Sequence, residues 1–208
     1  MRIKSVASMA DRAGRFRVVL EDDSVLRLYR QTIQDFGIYA GGELSDEDLQ
    51  KLQVAAGEMS AKMRAMRIVA ASNVSKNDLE YRLVQKGENP EQAKAAVAWM
   101  SELSLVDDQK TAAEVVSRCI AKGYGLNRAK QALFEKRIPR EYWADVLVDY
   151  PEQTDKIYEF LKSRLGEEPS DKEVKRAVDA LLRRGHSYAQ IRRGLEKLAL
   201  DSDDFPED

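Results

Sequence analysis

The chain has 208 residues, of which 34% are charged and 7% aromatic, and its formal net charge at pH 7 is −2. This length can hold one or two domains, and the composition suits exposed helical faces better than the core of a large globular enzyme. A protein that coats DNA is normally basic, so the slightly acidic balance argues against that class. No run of about 18 apolar residues occurs, so no membrane span is predicted.

The amino terminus and the cysteine usage indicate a cytoplasmic protein. Residues Met1 to Ser5 lack the apolar stretch of a signal peptide. The one cysteine, Cys119, leaves no intrachain disulfide framework and fits a reducing compartment. Because Cys119 falls on an apolar helical stripe, we expect it to be a core residue and not a reactive thiol.

The first part of the sequence has patterns that are typical of β-strands. Phe16, Val18 and Leu20 alternate with Arg15 and Arg17, which predicts a strand, and the polar cluster at 21–24 predicts a turn. Residues 25–29 can therefore return as a second strand. Residues 3–6 are a candidate third strand.

A helix is predicted next, after Ser45. The Ser45 side chain can cap this helix, and the three acids that follow it favour the positive end of the helix dipole. We expect the helix to end near Gly57. A separate long helix is then expected to begin at Met59.

Three copies of a short joint follow, each of which ends one amphipathic helix and starts the next. Gly and Asn tolerate the left-handed backbone conformation that closes a helix, so the first residue of each joint is predicted to adopt it. The third residue of each joint is a suitable N-cap, and Ser187 with Gln190 makes a capping-box pattern. The joints are Asn73-Val74-Ser75, Gly123-Tyr124-Gly125 and Gly185-His186-Ser187.

Apolar residues recur with helical spacing on both sides of the joints, which predicts one buried face for each helix. The residues before the joints are Met66/Val69/Ala70, Val116/Cys119/Ile120 and Val178/Leu181/Leu182. The residues after the joints are Leu79/Leu83, Ala129/Leu133 and Ile191/Leu195.

A third helix is predicted after the first two joints. Pro90 and Pro139 would each occupy a first helical position, where the missing N–H costs nothing. The third joint lacks an equivalent, because the chain runs into the acidic residues 201–208. An inserted helix is predicted over residues 154–165.

The predicted fold class is mainly α, with tandem three-helix repeats in an elongated array and a small N-terminal β-hairpin or sheet region. Units of this size bury their apolar faces against neighbouring units. The predicted domains are a small α+β region at 1–57, repeat 1 at 58–106, repeat 2 at 107–150, and repeat 3 with the inserted helix and acidic tail at 151–208.

Basic residues are concentrated after the second and third joints. Residues 122–140 contain six basic residues and one acid, and residues 183–197 contain five and one. A solvated helix face explains any single one of them, whereas the clusters favour an anionic partner. The candidate partner-binding or nucleic-acid-binding residues are Lys122, Tyr124, Arg128, Lys130, Lys136, Arg137, Arg140, Arg183, Arg184, Arg192 and Arg193.

Catalytic patterns are not found. The single histidine, His186, has no partner at a recognisable metal-ligand or triad spacing. Gly123 and Gly125 form a lone G-x-G that follows no strand, so no dinucleotide site is predicted. We therefore predict no enzyme activity, cofactor, metal or small-molecule substrate. Tyr124 and His186 have two interpretations, a hydrophobic staple or an aromatic side chain presented at a turn.

Paired helices with short turns also allow an autonomous helix-turn-helix DNA-binding module. The second helices of the last two units are basic, which suits phosphate contact. The acidic balance of the whole chain argues against this alternative.

Four motifs occur in a characteristic order and spacing: Ser75 to Gly87, Leu105-Val106-Asp107-Asp108, Lys122-Gly123-Tyr124-Gly125, and Ala132-Leu133 through Lys136-Arg137-Ile138. Together with the organisation of the chain, these motifs resemble the RecX family of bacterial RecA regulators over nearly the whole chain. Two positions depart from the family's pattern: Arg137 stands where a glycine is common, and Val106 where leucine is more frequent.

The resemblance implies a cytoplasmic, non-catalytic regulator whose partner is the RecA nucleoprotein filament. Such a protein would bind the RecA–single-stranded DNA filament and limit its growth, ATPase, strand-exchange and coprotease activities. Weak contact with DNA is compatible with this function. From charge alone, we expect the acidic tail to restrain non-specific DNA binding.

Overall fold

The computed structural model describes residues 1–11, 13–166 and 168–198. The acidic tail lies outside the described residues. The chain divides into two compact units, unit 1 over Met1–Val106 and unit 2 over Asp107–Asp208. The prediction of a mainly helical chain with a small N-terminal sheet is confirmed, whereas the division into four regions stays a prediction.

Unit 1 begins with a three-stranded antiparallel sheet in the order β1 (Ile3–Ser8), β2 (Arg15–Leu20) and β3 (Val25–Tyr29). The register places Val18 opposite both Val6 and Leu26. The alternation of residues 16–20 is the cause of this arrangement, because it directs Val18 and Leu20 into the core of the region. The short helix α1 (Arg30–Asp35) follows without a turn and was not predicted.

The predicted helix end near Gly57 is wrong. Helix α2 runs without interruption over Asp46–Ala71, capped by the Ser45 hydroxyl, which accepts a hydrogen bond from Asp48 N–H. A Cβ at Gly57 would overlap the Gln92 side chain. The Gln92 side chain thus occupies the space beside this glycine, which lies inside α2 and does not end the helix.

Helices α3 (Lys76–Gln85) and α4 (Pro90–Glu102) complete unit 1. The predicted pair Leu79 and Leu83 is fully buried. Asn89 caps α4 and Pro90 occupies its first helical position, as predicted. The core that these helices form with α2 is built mostly from small residues and leucines.

Two predictions about the end of α2 are also wrong. Met66 and Ala70 are exposed, and the buried face of α2 instead carries Ala61 and Ala65. Asn73 is not left-handed, because α2 ends through an extended residue, Ser72. Alanine is only weakly hydrophobic, so the apolar pattern of the sequence favoured a buried face that includes the larger Met66. The face that is buried carries alanines instead.

Unit 2 contains the second and third joints. Pro139 precedes a 3₁₀ turn at Arg140–Tyr142 and is not a first α-helical position, which corrects that prediction. The inserted helix is confirmed at Thr154–Arg164. The helices of unit 2 are α5 (Asp108–Ala121), α6 (Leu126–Glu135), α7 (Trp143–Leu147), α8 (Thr154–Arg164), α9 (Asp171–Arg183) and α10 (Tyr188–Lys197).

The second and third joints close their helices by the same Schellman arrangement. Gly123 and Gly185 are left-handed, with φ of 66° and 86°. The next residue in each joint donates its N–H five residues back, from Tyr124 to the Cys119 carbonyl and from His186 to the Leu181 carbonyl. The left-handed glycines and the N-caps Gly125 and Ser187 are therefore confirmed.

These two joints contact each other through their backbones. Gly125 N–H donates to the Arg184 carbonyl at 2.9 Å, and Asn127 N–H donates to the Gly185 carbonyl at 3.2 Å. A Cβ at Gly125 would overlap the Gly185 carbonyl, and a Cβ at Gly185 would overlap Arg128 N. Both glycines are thus required by the close approach of the two chain segments.

Among the described residues, no helix combines the length and apolarity that crossing a membrane requires.

Substituting Gly125 tests the contact between the joints. Gly125 has φ of −77°, so alanine adds no backbone strain and acts only by steric overlap. We expect Gly125→Ala to lower the free energy of unfolding by about 1–3 kcal/mol, the usual cost of overpacking, as measured by urea denaturation. Gly166→Ala is the control, because a Cβ there meets nothing within 4 Å. Equal stability of the two variants would contradict the contact.

Candidate functional site

An arginine-rich groove, here called the arginine groove, lies in unit 2. It has a volume of about 590 Å³ and is lined by residues of α6, α8 and α9, by the C-cap of α9 and by the second joint. Its acidic lining consists of Glu173, and Tyr124 and Phe160 supply aromatic surface. The arginines that line it are Arg128, Arg164, Arg176, Arg183 and Arg184.

Helix α9 supplies one wall because of its residue spacing. Arg176 and Arg183 are seven residues apart, which is two helical turns, so they share one face. Ala177 and Ala180 lie between them and leave room for the groove. The side chains of Arg176 and Arg183 make no ion pair with any described carboxylate.

Phe160 fixes two of the arginines. The Arg184 guanidinium lies 4.5 Å from the centre of the Phe160 ring, and that of Arg164 lies 5.7 Å from it. Cation–π contacts of this kind are worth about 0.5–1 kcal/mol at exposed sites. The ring therefore holds both guanidinium groups in place without neutralising their charge.

Carboxylates near the groove already have hydrogen-bond partners. Glu173 accepts from the Ser170 N–H and hydroxyl in the capping box of α9, and these bonds hold the pKa of Glu173 below its usual value. Glu135 pairs with Arg128 at 2.9 Å, and this hydrogen bond raises the pKa of Arg128. The groove therefore keeps an excess of positive charge.

The predicted site residues divide into two sets. Tyr124, Arg128, Arg183 and Arg184 line the groove, and the other seven do not. Among those seven, Arg193 pairs with Glu152 at 2.7 Å and Arg140 stacks on Trp143 at 5.3 Å. The remaining five are Lys122, Lys130, Lys136, Arg137 and Arg192.

Sequence reasoning missed Phe160, Arg164 and Arg176. The clusters of basic residues in the sequence lie near the joints, whereas these three residues lie on the inserted helix α8 and in the middle of α9. The spacing from Arg176 to Arg183 was a usable signal. The place of Phe160 between two arginines depends on tertiary packing and had no local signal.

Nucleophile and metal chemistry find no support in the described residues. Cys119 is buried, as predicted, and burial raises the pKa of its thiol. No group of three or more His, Cys, Asp or Glu residues that could hold a metal ion occurs in residues 1–11, 13–166 and 168–198.

Comparison with known proteins finds relatives of one family, although no protein-family model matches the chain. The regulatory protein RecX of Streptococcus gordonii is 25% identical over 188 residues, which cover 88% of this chain and 73% of that protein. The regulatory protein RecX of Clostridioides difficile is 23% identical over 202 residues, which cover 92% of each. These similarities support the assignment of the chain to the RecX family.

A crystal structure of a regulatory protein RecX has the same fold. It superimposes with a TM-score of 0.62 over 95% of this chain and 98% of that chain, at 17% sequence identity. At this identity the match bears on the fold alone.

The structure explains why a glycine suits position 137, where this chain has an arginine. Arg137 has φ of 54°, so it closes α6 in the left-handed conformation that glycine adopts most easily. Gly87 closes α3 in the same way, with φ of 88°. A glycine is therefore favoured at 137, and the arginine there bears backbone strain.

His186, two residues after Arg184, is a structural residue of the third joint. It is 2% exposed, and its Nε2 lies 3.1 Å from the Gly123 carbonyl. No described group bonds its buried Nδ1. Desolvation by burial lowers the pKa of His186, and the nearby Arg184 lowers it further, against the opposing effect of the Gly123 carbonyl. The staple interpretation therefore suits His186 better than a presented aromatic.

The lowered pKa of His186 predicts a pH dependence of stability. The folded chain keeps His186 neutral, whereas the unfolded chain binds a proton as the pH falls through about 6.5. Stability is thus complete above about pH 6.5 and declines below it. We expect the free energy of unfolding to fall between about pH 7 and 5.5 in the native protein and to change less in His186→Leu. Because the chain has one histidine, identical pH profiles would contradict the assignment.

Proposed function

We propose that the protein regulates the RecA recombinase by binding the RecA–single-stranded DNA filament and limiting its growth, ATPase, strand-exchange and coprotease activities. Membership of the RecX family, whose curated members carry the name regulatory protein, supports a regulatory role. The observation that carries the proposal is the arginine groove, which offers a nucleoprotein filament a concentrated positive surface.

The chemistry of the groove suits phosphate. Arginine presents a planar fork of donors that matches phosphate oxygens, and it stays charged at any physiological pH. Phe160 holds Arg164 and Arg184 before a ligand arrives, which reduces the entropy lost on binding. DNA exposed in the filament is therefore our preferred partner for this surface.

We further propose that the protein acts in the cytoplasm by binding alone, without catalysis or a cofactor. The side chains with the best intrinsic nucleophile or base chemistry, Cys119 and His186, are both buried. His186 is occupied in joining the two joints of unit 2. Neither residue can reach a substrate without local unfolding.

A titration of RecA activity tests the proposed regulation. Substoichiometric amounts of the protein should lower DNA-dependent ATP hydrolysis by RecA, because one bound chain blocks further filament growth. Preformed and newly growing filaments should be compared. A stronger effect on growing filaments would indicate that the protein caps filament ends and does not bind in the helical groove of the filament. Hydrolysis that stays unchanged at saturating protein would reject the proposal and leave an autonomous DNA-binding module as the alternative.

Charge removal in the arginine groove tests the site. The double variant Arg176→Ser/Arg183→Ser removes two exposed cations that no described carboxylate pairs. We expect the concentration for half-maximal inhibition of RecA to rise about tenfold, which corresponds to about 1.4 kcal/mol of lost binding energy.

The matched control is Lys110→Ser/Lys175→Ser, which removes two exposed cations of unit 2 that do not line the groove. It should inhibit RecA as the native protein does. Equal loss of inhibition in both double variants would show that only the overall charge matters, and equal retention would place the contact elsewhere.

A further inference from the structure

A second basic pocket lies in unit 1, where sequence analysis placed no binding residue. Its volume is about 430 Å³, and no acidic residue lines it. It lies at the ends of α2 and α3 and at the start of β2. The basic residues that line it are Arg15, Arg64, Arg67, Arg82 and Lys86.

Two of these arginines form ion pairs with buried carboxylates that do not line the pocket. Arg64 pairs with Glu88 at 2.6 Å, and Arg82 pairs with Asp78 at 2.8 Å. The carboxylate side chains are 7% and 8% exposed, whereas those of the arginines are 30% and 37% exposed. The negative charges are therefore covered, while each guanidinium keeps accessible surface in the pocket.

The other three cations complete the wall. Arg15 pairs with Asp11 at 2.7 Å, and Asp11 does not line the pocket. Arg67 donates to the neutral Tyr29 hydroxyl at 3.2 Å. Neither Arg67 nor Lys86 forms an ion pair with a carboxylate among the residues that the structure describes. Three of the five cationic side chains are thus paired with described carboxylates, and two are not.

The two helix ends do not neutralise this excess. Helices α2 and α3 both end at the pocket, and each carboxyl end carries about half a negative charge. Together they offset about one of the two surplus positive charges. Favourable placement of cations at helix ends therefore explains part of the cluster, and a positive pocket remains.

We propose that this pocket binds a phosphate group of a nucleic-acid backbone. Arginines fixed in orientation by ion pairs can donate their remaining N–H groups to phosphate oxygens without first losing side-chain freedom. The charged side chains that line the pocket are all hydrogen-bond donors, and no carboxylate lines it to repel an anion. The site lies in a different unit from the arginine groove and needs no RecA, so it extends beyond the proposed function.

The double variant Arg67→Ser/Lys86→Ser tests the proposal. These two residues are chosen because their removal leaves no buried carboxylate without its partner, whereas changing Arg64 or Arg82 would. Binding of a labelled single-stranded oligonucleotide by the full chain, without RecA, is followed by fluorescence anisotropy over a range of salt concentrations.

We expect the double variant to bind about fivefold more weakly at low salt, with a salt dependence shallower by about one to two released counterions. Lys51→Ser/Lys94→Ser, which removes two exposed lysines of unit 1 outside the pocket, should retain the native affinity and salt slope. An affinity and a salt slope that both match the native protein in Arg67→Ser/Lys86→Ser would overturn the proposal and favour an acidic protein surface as the occupant.

Chemical footprinting of the native protein provides a second test, which does not depend on the stability of a variant. Phenylglyoxal modifies accessible guanidinium groups, and mass spectrometry locates the products. Bound oligonucleotide should protect Arg67, while exposed Arg118, which lies outside both basic sites, should react as before. Unprotected Arg67 at saturating oligonucleotide would also overturn the proposal.

Discussion

The backbone contact between the second and third joints is the constraint on which unit 2 depends. Gly125 and Gly185 approach so closely that neither position has space for a Cβ. Arg128, in the first turn of α6, lies beside Gly185, and Arg184 immediately precedes Gly185. The contact therefore brings arginines from two distant chain segments to one surface. The arginine groove thus follows from the packing of two glycines, neither of which lines it.

Immobilised arginines are common to both basic sites, although the means differ. In the arginine groove the Phe160 ring holds Arg164 and Arg184 and leaves their charge intact. In the unit 1 pocket buried carboxylates hold Arg64 and Arg82 from behind. An aromatic ring orients an arginine without reducing its positive potential. A paired carboxylate reduces the positive potential of the arginine but orients its guanidinium more strictly. The first arrangement suits long-range attraction and the second suits close contact with one anion.

Local chemistry determined which parts of this structure the sequence could predict. The left-handed Gly123 and Gly185 and the cap at Ser187 were predictable, because each depends on neighbours within one turn of helix. Gly57 was misjudged because a glycine inside a helix costs only about 1 kcal/mol, which packing of α2 against other helices can offset. The pairing of Gly125 with Gly185 was likewise out of reach, since a joint identifies a helix end and not the segment that packs on it.

The same limit applies to charge, which a sequence count treats as a property of segments. A net charge of −2 argued against nucleic-acid contact, yet the carboxylates are not distributed like the arginines. Glu173 completes a helix cap, and Asp78 and Glu88 are covered by the arginines they pair with. Acids in such structural roles contribute to the formal charge while adding little to the potential that a partner meets. The surface potential of this chain therefore depends on which face each acid occupies, so a slightly acidic protein can present two basic sites.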